Sequence, residues 1–501
     1  MNRVEDADEL LRKGTDYLNR WLDEIPSPGE RQLLALKFAG FNQLTVDRHI
    51  QAASQLSDEA AIQAKLKEAW ETAEKGKNTC LSWLLYTLTN EAASSNFEEA
   101  QQFLSPETAI VYWHLSPAAL TTFVLKPGES APVLIAQPST GDRPASLQQL
   151  LKLEAWMKEW DSQYSDYRRK GKEQRDADHP WRREMAQRLF ERQAELGNLK
   201  EILNIEAIEQ YLNGVDRLIL IPHRDLHRFP LHALFDSRWV VSYLPSVRVG
   251  LTLQGRKPKS FSQLFSIENP QSSQAPNMRL ALLESQVISQ YFQNVRSLQE
   301  ANATHEHVIR ALAENHTILH FSGHGSHHFE NPRKSALLLA GTESLTLEEI
   351  CHQDLTTYDL VSLSACETAL TNNQSITTEY VGLVSGFLSQ GAAQVLSTLW
   401  VVKSAVSAVI MIEFYRARRS GKSDAIVLTE TIRWFRSLEQ PKFEQWCQDC
   451  LKDLATLPPK RQSELKRMFE IHIGWQWDTI REDVQHPYAW AAFILSGGFF
   501  P

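Results

Sequence analysis

Nowhere does this sequence run apolar for long enough to cross a bilayer as a helix, so a helical membrane protein is not expected. Excess basic charge is missing as well. Lys and Arg number 52 against 61 Asp and Glu, a formal net charge of −9, which argues against wholesale nucleic-acid binding while leaving room for a local basic patch. Cysteine is scarce: five in 501 residues, an odd number with no dense framework, as expected of reduced thiols in a reducing compartment. The start, Met1-Asn-Arg-Val-Glu-Asp-Ala-Asp-Glu9, lacks the basic beginning and apolar core of a signal peptide, so cytoplasm is the expected location. No internal repeat is visible either.

What is present suffices for two or more packed domains, with 43% hydrophobic residues. Residues 1–103 read as helices, with Leu10, Leu11, Tyr17, Leu18, Trp21 and Leu22 at helical spacing. From 105 to 136 the pattern turns to β-type runs, Ala109–Trp113 and Thr121–Leu125, with Lys126-Pro-Gly-Glu as a turn. Helical spacing returns in Leu153, Met157, Trp160, Tyr164 and Tyr167. It stops at the charged run Arg168–Glu173 and resumes at Trp181, Met185 and Leu189, predicting a helical hairpin with a basic tip. That tip is a solvated loop or a docking site for an acidic partner. Strands are then expected at 217–221, 239–243, 262–267, 317–321, 336–339, 360–364 and 394–399, alternating largely with helices. Such alternation implies a mainly parallel sheet covered on both faces.

Two of those runs end in reactive side chains. Thr317-Ile-Leu-His-Phe-Ser-Gly-His-Gly-Ser326 carries His324, and Leu360-Val-Ser-Leu-Ser-Ala-Cys-Glu-Thr368 carries Cys366, 42 residues later. In α/β sheets chemistry gathers beyond the carboxyl ends of parallel strands, where this pair could meet. A thiol with its ordinary pKa of about 8.5 is mostly protonated at neutral pH, and a neighbouring imidazole favours the nucleophilic thiolate. Gly323 and Gly325 remove Cβ atoms beside the histidine, where a strand turns and a substrate backbone comes close. The backbone N–H groups of Gly325 and Cys366 are the expected donors to the oxygen of a tetrahedral intermediate.

These segments resemble the signature of the CHAT domains, caspase-like cysteine peptidases associated with tetratricopeptide repeats. Ser105–Tyr112, Leu218–Leu234, Gly391–Trp400 and His486–Phe493 extend the resemblance, in the family's order, over roughly residues 100–501. It implies an α/β fold with a caspase-like, mainly parallel sheet flanked by helices, His324 as the matched histidine and Cys366 as the matched nucleophile. The expected organisation is a helical N-terminal region over 1–103, a pseudo-caspase-like half with the hairpin over 104–259, and a catalytic half over 260–501. A 34-residue repeat pattern does not recur convincingly in the N-terminal region, a departure from longer family members.

In caspase-type folds the loop corresponding to Leu399–Ser404 often builds the primary pocket, which makes Trp400 and Lys403 candidate pocket residues. Lys403 stands where many relatives carry an acid. Facing the pocket, it would disfavour a basic side chain before the scissile bond; the other reading is a solvated lysine at the start of a helix near Ser404. His320, His324, His327 and His328 have suggestive spacing, but a strand followed by a loop does not present i, i+4 ligands as a helix does, so no metal is expected. His223, His227 and His232 read as structural. Cys447 and Cys450 form a single CxxC on a helix, a weak redox or zinc signal, and Cys80 and Cys351 read as buried small hydrophobes. Glu367 orients a loop or caps a helix.

The expected function is a cysteine endopeptidase of caspase-like type that cleaves protein substrates without a cofactor. A regulatory or activating protein partner is expected from the resemblance; direct contact with nucleic acid or membrane is not. The alternative is a scaffold that keeps the fold and works by binding, and a metal-dependent hydrolase is a third choice.

Overall fold

The computed structural model describes residues 2–25, 28–85, 95–136, 144–169, 179–191, 197–256, 263–328, 331–365, 382–474 and 476–498. Three long helices open the chain: α1 (Asn2–Glu24), α2 (Pro28–Ser54) and α3 (Glu59–Leu85). The Asp58 carboxylate accepts the Ala61 N–H at 2.9 Å, satisfying one of the donors left over at the start of α3. A short helix, α4 (Phe97–Phe103), follows a capping box between Asn96 and Glu99.

Eleven strands among the described residues then form one sheet. In chain order they are β1 (Thr108–Leu115), β2 (Leu120–Leu125), β3 (Val133–Leu134), β4 (Arg217–Ile221), β5 (Val240–Tyr243), β6 (Gln263–Glu268), β7 (Asn294–Gln299), β8 (Ile318–Gly323), β12 (Leu360–Ala365), β13 (Gln394–Thr398) and β14 (Phe493–Gly497). Between β8 and β12 a separate three-stranded sheet is built from β9 (Gly325–Ser326), β10 (Ala336–Leu338) and β11 (Ser344–Thr346). The main sheet is ordered β3-β2-β1-β4-β5-β14-β13-β12-β8-β6-β7.

β2 and β3 add to β1 in antiparallel order, and the other nine of the eleven strands form two parallel blocks. One holds β1, β4, β5 and β14, the other β13, β12, β8, β6 and β7, and they join through the antiparallel pair β13–β14. The blocks therefore run in opposite directions, so one edge of the sheet collects the carboxyl ends of β8, β12 and β13. The central strands are buried along their length, as parallel strands covered on both faces must be.

The hairpin expected after β3 has one long arm, α5 (Ala145–Arg169), whose partner arm begins as the short helix α6 (Pro180–Arg183) and continues into a π-helical turn over Gln187–Glu191. Its aromatic side chains point into the fold. Trp181, fully buried, packs edge-on to Trp160, Trp400 and Tyr488 with ring centroids 5.3, 5.8 and 6.1 Å away.

The expected strand at 336–339 belongs to the small antiparallel sheet rather than the main one. β7 and β14 were not anticipated. β7 is an edge strand whose first three residues are exposed, so it lacks the apolar signal of its neighbours. No helix among the described residues is long and apolar enough to cross a membrane.

Candidate active site

β8 and β12 are adjacent and parallel, with Leu360 opposite Ile318 and Ala365 opposite Gly323. Side chains alternate faces along a strand, so His320 and Ser322 share a face with Ser362 and Ser364, while Leu319, Phe321, Val361 and Leu363 point the other way. The apolar set fixes the register. The polar set forms a buried ladder leading toward the strand ends.

His320 Nδ1 lies 2.6 Å from Ser362 Oγ, directly across the pair, and Ser362 Oγ lies 2.8 Å from the Tyr415 hydroxyl. Tyr415 sits on the helix Ser404–Arg418 and meets the His320 ring edge-on at 5.4 Å. One step further along, Ser322 Oγ donates to Glu284 at 3.4 Å, and Ser364 Oγ lies 3.3 Å from Ser407 Oγ. Glu284, on the helix Arg279–Ser289, also stands 3.4 Å from His320 Nε2. These contacts tie the two strands to each other and to the helices on that face. A cavity of about 20 Å³, room for about one water molecule, lies among Glu284, Ser322, Ser364, Thr398, Ser404 and Ser407.

His324 follows β8 and is half-buried. Its Nε2 lies 2.7 Å from the carbonyl oxygen of Pro276. A carbonyl only accepts, so the neutral ring carries its proton on Nε2, and Nδ1 is left as the proton acceptor. The loop bearing Pro276 is itself braced by Asn269, which adopts left-handed backbone at φ 47°. Asn269 Oδ1 accepts the Met278 N–H at 2.9 Å, its Nδ2 donates to Asn277 at 3.1 Å, and its own N–H donates to the Ser322 carbonyl at 2.7 Å. The end of β6 is thereby coupled to the orientation of His324.

Gly323 makes a close approach possible, since a Cβ there would sit 3.0 Å from both the Phe321 ring and Pro270. Gly325 lies in β9 opposite Leu337, and the His324 carbonyl accepts the Leu338 N–H at 2.9 Å. Ala365 ends β12. Cys366 and Glu367, next in sequence, lie outside the described residues.

Of the two pocket candidates, Trp400 is buried and Lys403 half-buried. Trp400 is 1% exposed, and its indole N–H donates to the Tyr488 carbonyl at 2.8 Å. An indole so enclosed supports the loop from behind and has no face to offer a substrate. Lys403 occupies the cap position of the helix Ser404–Arg418, with its Nζ 3.0 Å from Asp483. Asp483 is fully buried and also pairs with Arg182 of α6. Burial raises the Asp483 carboxyl above its ordinary range, and the two cations oppose that rise. Neither reading of Lys403 from the sequence anticipated this partner.

His327 shares the Ser335 hydroxyl at 3.2 Å, and burial first, then Arg168, pushes its pKa down to about 4. His223 accepts the Leu115 N–H at 2.8 Å, and His232 bonds to the Tyr243 hydroxyl at 2.9 Å, so both are structural contacts. Burial pushes the Cys351 thiol up to about 11 and Cys447 up to about 12, with Cys450 raised well above its ordinary value, so these three ionise poorly. No cluster of His, Cys, Asp or Glu suited to a metal ion occurs among the described residues.

What sequence reasoning missed is the backbone carbonyl of Pro276. Its signal is indirect: an Asn-Pro pair, Asn269-Pro270, at the end of an apolar strand marks a turn whose Asn tolerates left-handed backbone.

The CHAT domain profile matches residues 193–498. No curated protein sequence matches. Among solved structures, two crystal structures of the Saccharomyces cerevisiae separase–securin complex align with TM-scores of 0.54 and 0.52 at 11% and 12% identity. The alignments cover 99% and 100% of this chain but 38% and 40% of the matched chains, so this chain spans well under half their length. At that identity the likeness is one of fold.

Proposed function

The chain belongs to the CHAT domain family, and from that premise we propose that it is a cysteine endopeptidase of caspase-like type whose nucleophile is Cys366 and whose base is His324. One observation carries this reading. Gly323 and Ala365 are Cα partners on adjacent parallel strands, and each is followed in sequence by a member of the pair.

With Nε2–H donated to Pro276, His324 offers Nδ1 to take the thiol proton. The thiolate attacks the scissile carbonyl carbon, and the C–N bond breaks as the imidazolium returns the proton to the leaving amine. Water, deprotonated by the same imidazole, then cleaves the thioester and regenerates the thiol. The N–H groups of Gly325 and Cys366 are the proposed donors to the oxyanion. The proposed catalytic half is 260–501, with 104–259 as a non-catalytic half and 1–103 as a regulatory helical region. Regulation by a protein partner is part of the proposal, supported by the presence of securin in the matched separase crystals.

Iodoacetamide labelling near neutral pH, followed by peptide mass spectrometry, tests the nucleophile. Cys366 is expected to react first, ahead of Cys351, Cys447 and Cys450, whose thiols burial keeps protonated. Replacing His324 with Ala should slow that labelling about tenfold or more as the thiolate fraction falls. Equal labelling of Cys366 in both proteins would remove His324 from the role of base.

A further inference from the structure

At the starts of β5 and β14, on the sheet edge that also collects the carboxyl ends of β8, β12 and β13, lies a cleft of about 80 Å³. Its walls are apolar. Trp239 and Val241 come from the β5 side, Trp490 and Phe493 from the β14 side, and Leu428 and Ile432 from the covering helix Asp424–Arg436. At about 15 Å³ for each water-sized group, the cleft holds about five non-hydrogen atoms. That is room for one side chain; sites for cofactors and other small molecules usually exceed about 300 Å³.

Two donors face this space without a matching acceptor. The first is His232, whose pKa burial pushes down to about 4, so its ring is neutral at neutral pH. The Tyr243 oxygen accepts the His232 backbone N–H at 2.7 Å, which leaves the phenolic hydrogen to be donated to His232 Nδ1 at 2.9 Å. The imidazole proton is therefore on Nε2. Nε2 is buried and has no hydrogen-bond partner, a cost that an incoming acceptor removes. The second donor is Arg436. Its guanidinium lies over the Trp490 ring, 4.2 Å from the centroid, and meets no carboxylate among the described residues; burial alone acts on its pKa, downward. Of the other charged groups lining the cleft, Arg433 donates to the Ser237 carbonyl, and exposed Asp236 accepts the Arg238 N–H at 2.8 Å. A carboxylate has an oxygen for each donor and the charge opposite to the guanidinium, whereas a neutral amide supplies an acceptor without the charge.

We propose that the cleft is a docking subsite for the side chain of a glutamate in an extended segment of a bound protein. Its capacity of about five non-hydrogen atoms is that of a glutamate side chain beyond Cα. So small a contact binds weakly as a free molecule, and the rest of a polypeptide lying on the sheet edge adds what the side chain lacks. The proposal concerns binding and holds whether or not the edge cleaves what it binds.

Nuclear magnetic resonance spectra of the full-length chain, isotopically labelled at the tryptophan indole nitrogens and titrated with blocked tripeptides, test the proposal. The probes are acetyl-Ala-Glu-Ala-amide, its Gln and Lys counterparts, and free glutarate. Saturable shifts of the Trp239 and Trp490 signals are expected with the Glu peptide, at least about tenfold tighter than with the Gln peptide and absent with the Lys peptide. Arg436→Gln, at an exposed position, should weaken binding of the Glu peptide by about tenfold or more and leave the Gln peptide unchanged. Lys466→Gln, on a helix that does not line the cleft, should alter neither. Unshifted signals from the other indoles would show that the variants fold. Equal affinity for the Glu and Gln peptides, no saturable shift with the Glu peptide, or an Arg436→Gln protein that still prefers Glu would overturn the proposal. Tighter binding of glutarate than of the Glu peptide would also overturn it, reassigning the cleft to a small dicarboxylate.

Discussion

Ser362 is the residue on which the polar face of the site turns. Its single hydroxyl meets both His320 across the strand pair and Tyr415 on the covering helix. Truncating it leaves two buried polar groups short of a partner, and each such loss costs on the order of 1–3 kcal/mol. Ser362→Ala is therefore expected to lower stability by about 2 kcal/mol in urea denaturation. Tyr415→Phe, which leaves the His320–Ser362 contact in place, should lose about 1 kcal/mol. A Ser362→Ala protein as stable as the parent would mean that the ladder does not hold the strands. This face was only half legible in sequence. The sequence places His320 on the expected strand 317–321, but its partnership with Ser362 was not anticipated. Glu284, Tyr415 and Ser407 come from helices distant in sequence, and periodicity says nothing about which helix covers which strand.

Among the elements, the α5–α6 hairpin and the loop after β13 are bound into one aromatic cluster. Trp181 touches Trp160, Tyr164, Tyr167, Trp400 and Tyr488. Trp181→Ala should cost about 3–5 kcal/mol, the usual loss for truncating a large buried aromatic, and should loosen the loop carrying Lys403. Limited proteolysis of that loop, compared between the two proteins, checks the second consequence. The strands with continuous apolar runs, β1, β8 and β12 among them, stood out in sequence because both their faces are covered. β14 did not, since it lies antiparallel to β13 at the junction of the two blocks, a position that strand-helix alternation does not encode.

The contact between α2 and the β1–β2 turn supplies a pH prediction at the same scale. Ser116 Oγ donates to Asp47 at 2.5 Å, yet burial dominates and raises the Asp47 pKa to about 6. The folded protein thus holds this proton more tightly than the unfolded chain, whose carboxyl titrates near 3.9. Between those values the folded state binds more protons, so this group's contribution to stability is present below about pH 4 and is lost as pH rises through about 6. Asp47→Asn keeps an acceptor for Ser116 without the charge. Its stability relative to the parent should climb from pH 4 to 7, by at most about 3 kcal/mol, as read from paired thermal melts. A pH-independent difference would place the charge in water.

At the scale of the whole molecule, the main sheet has two parallel blocks that run in opposite directions, so the carboxyl ends of β8, β12 and β13 gather on a single edge. Ligand chemistry concentrates at such edges in α/β folds, and the proposed peptidase site follows from that topology together with the identities of His324 and Cys366. The most direct measurement is cleavage of a diverse peptide library by the purified parent, Cys366→Ala and His324→Ala, each with an electrophilic thiol probe read by mass spectrometry and with a candidate activating partner added in a parallel arm. The account predicts cleavage by the parent, its loss in both variants, and probe labelling confined to Cys366. Cleavage that persists in Cys366→Ala, or an unreactive Cys366 in a parent protein that cleaves nothing with or without the partner, would contradict it.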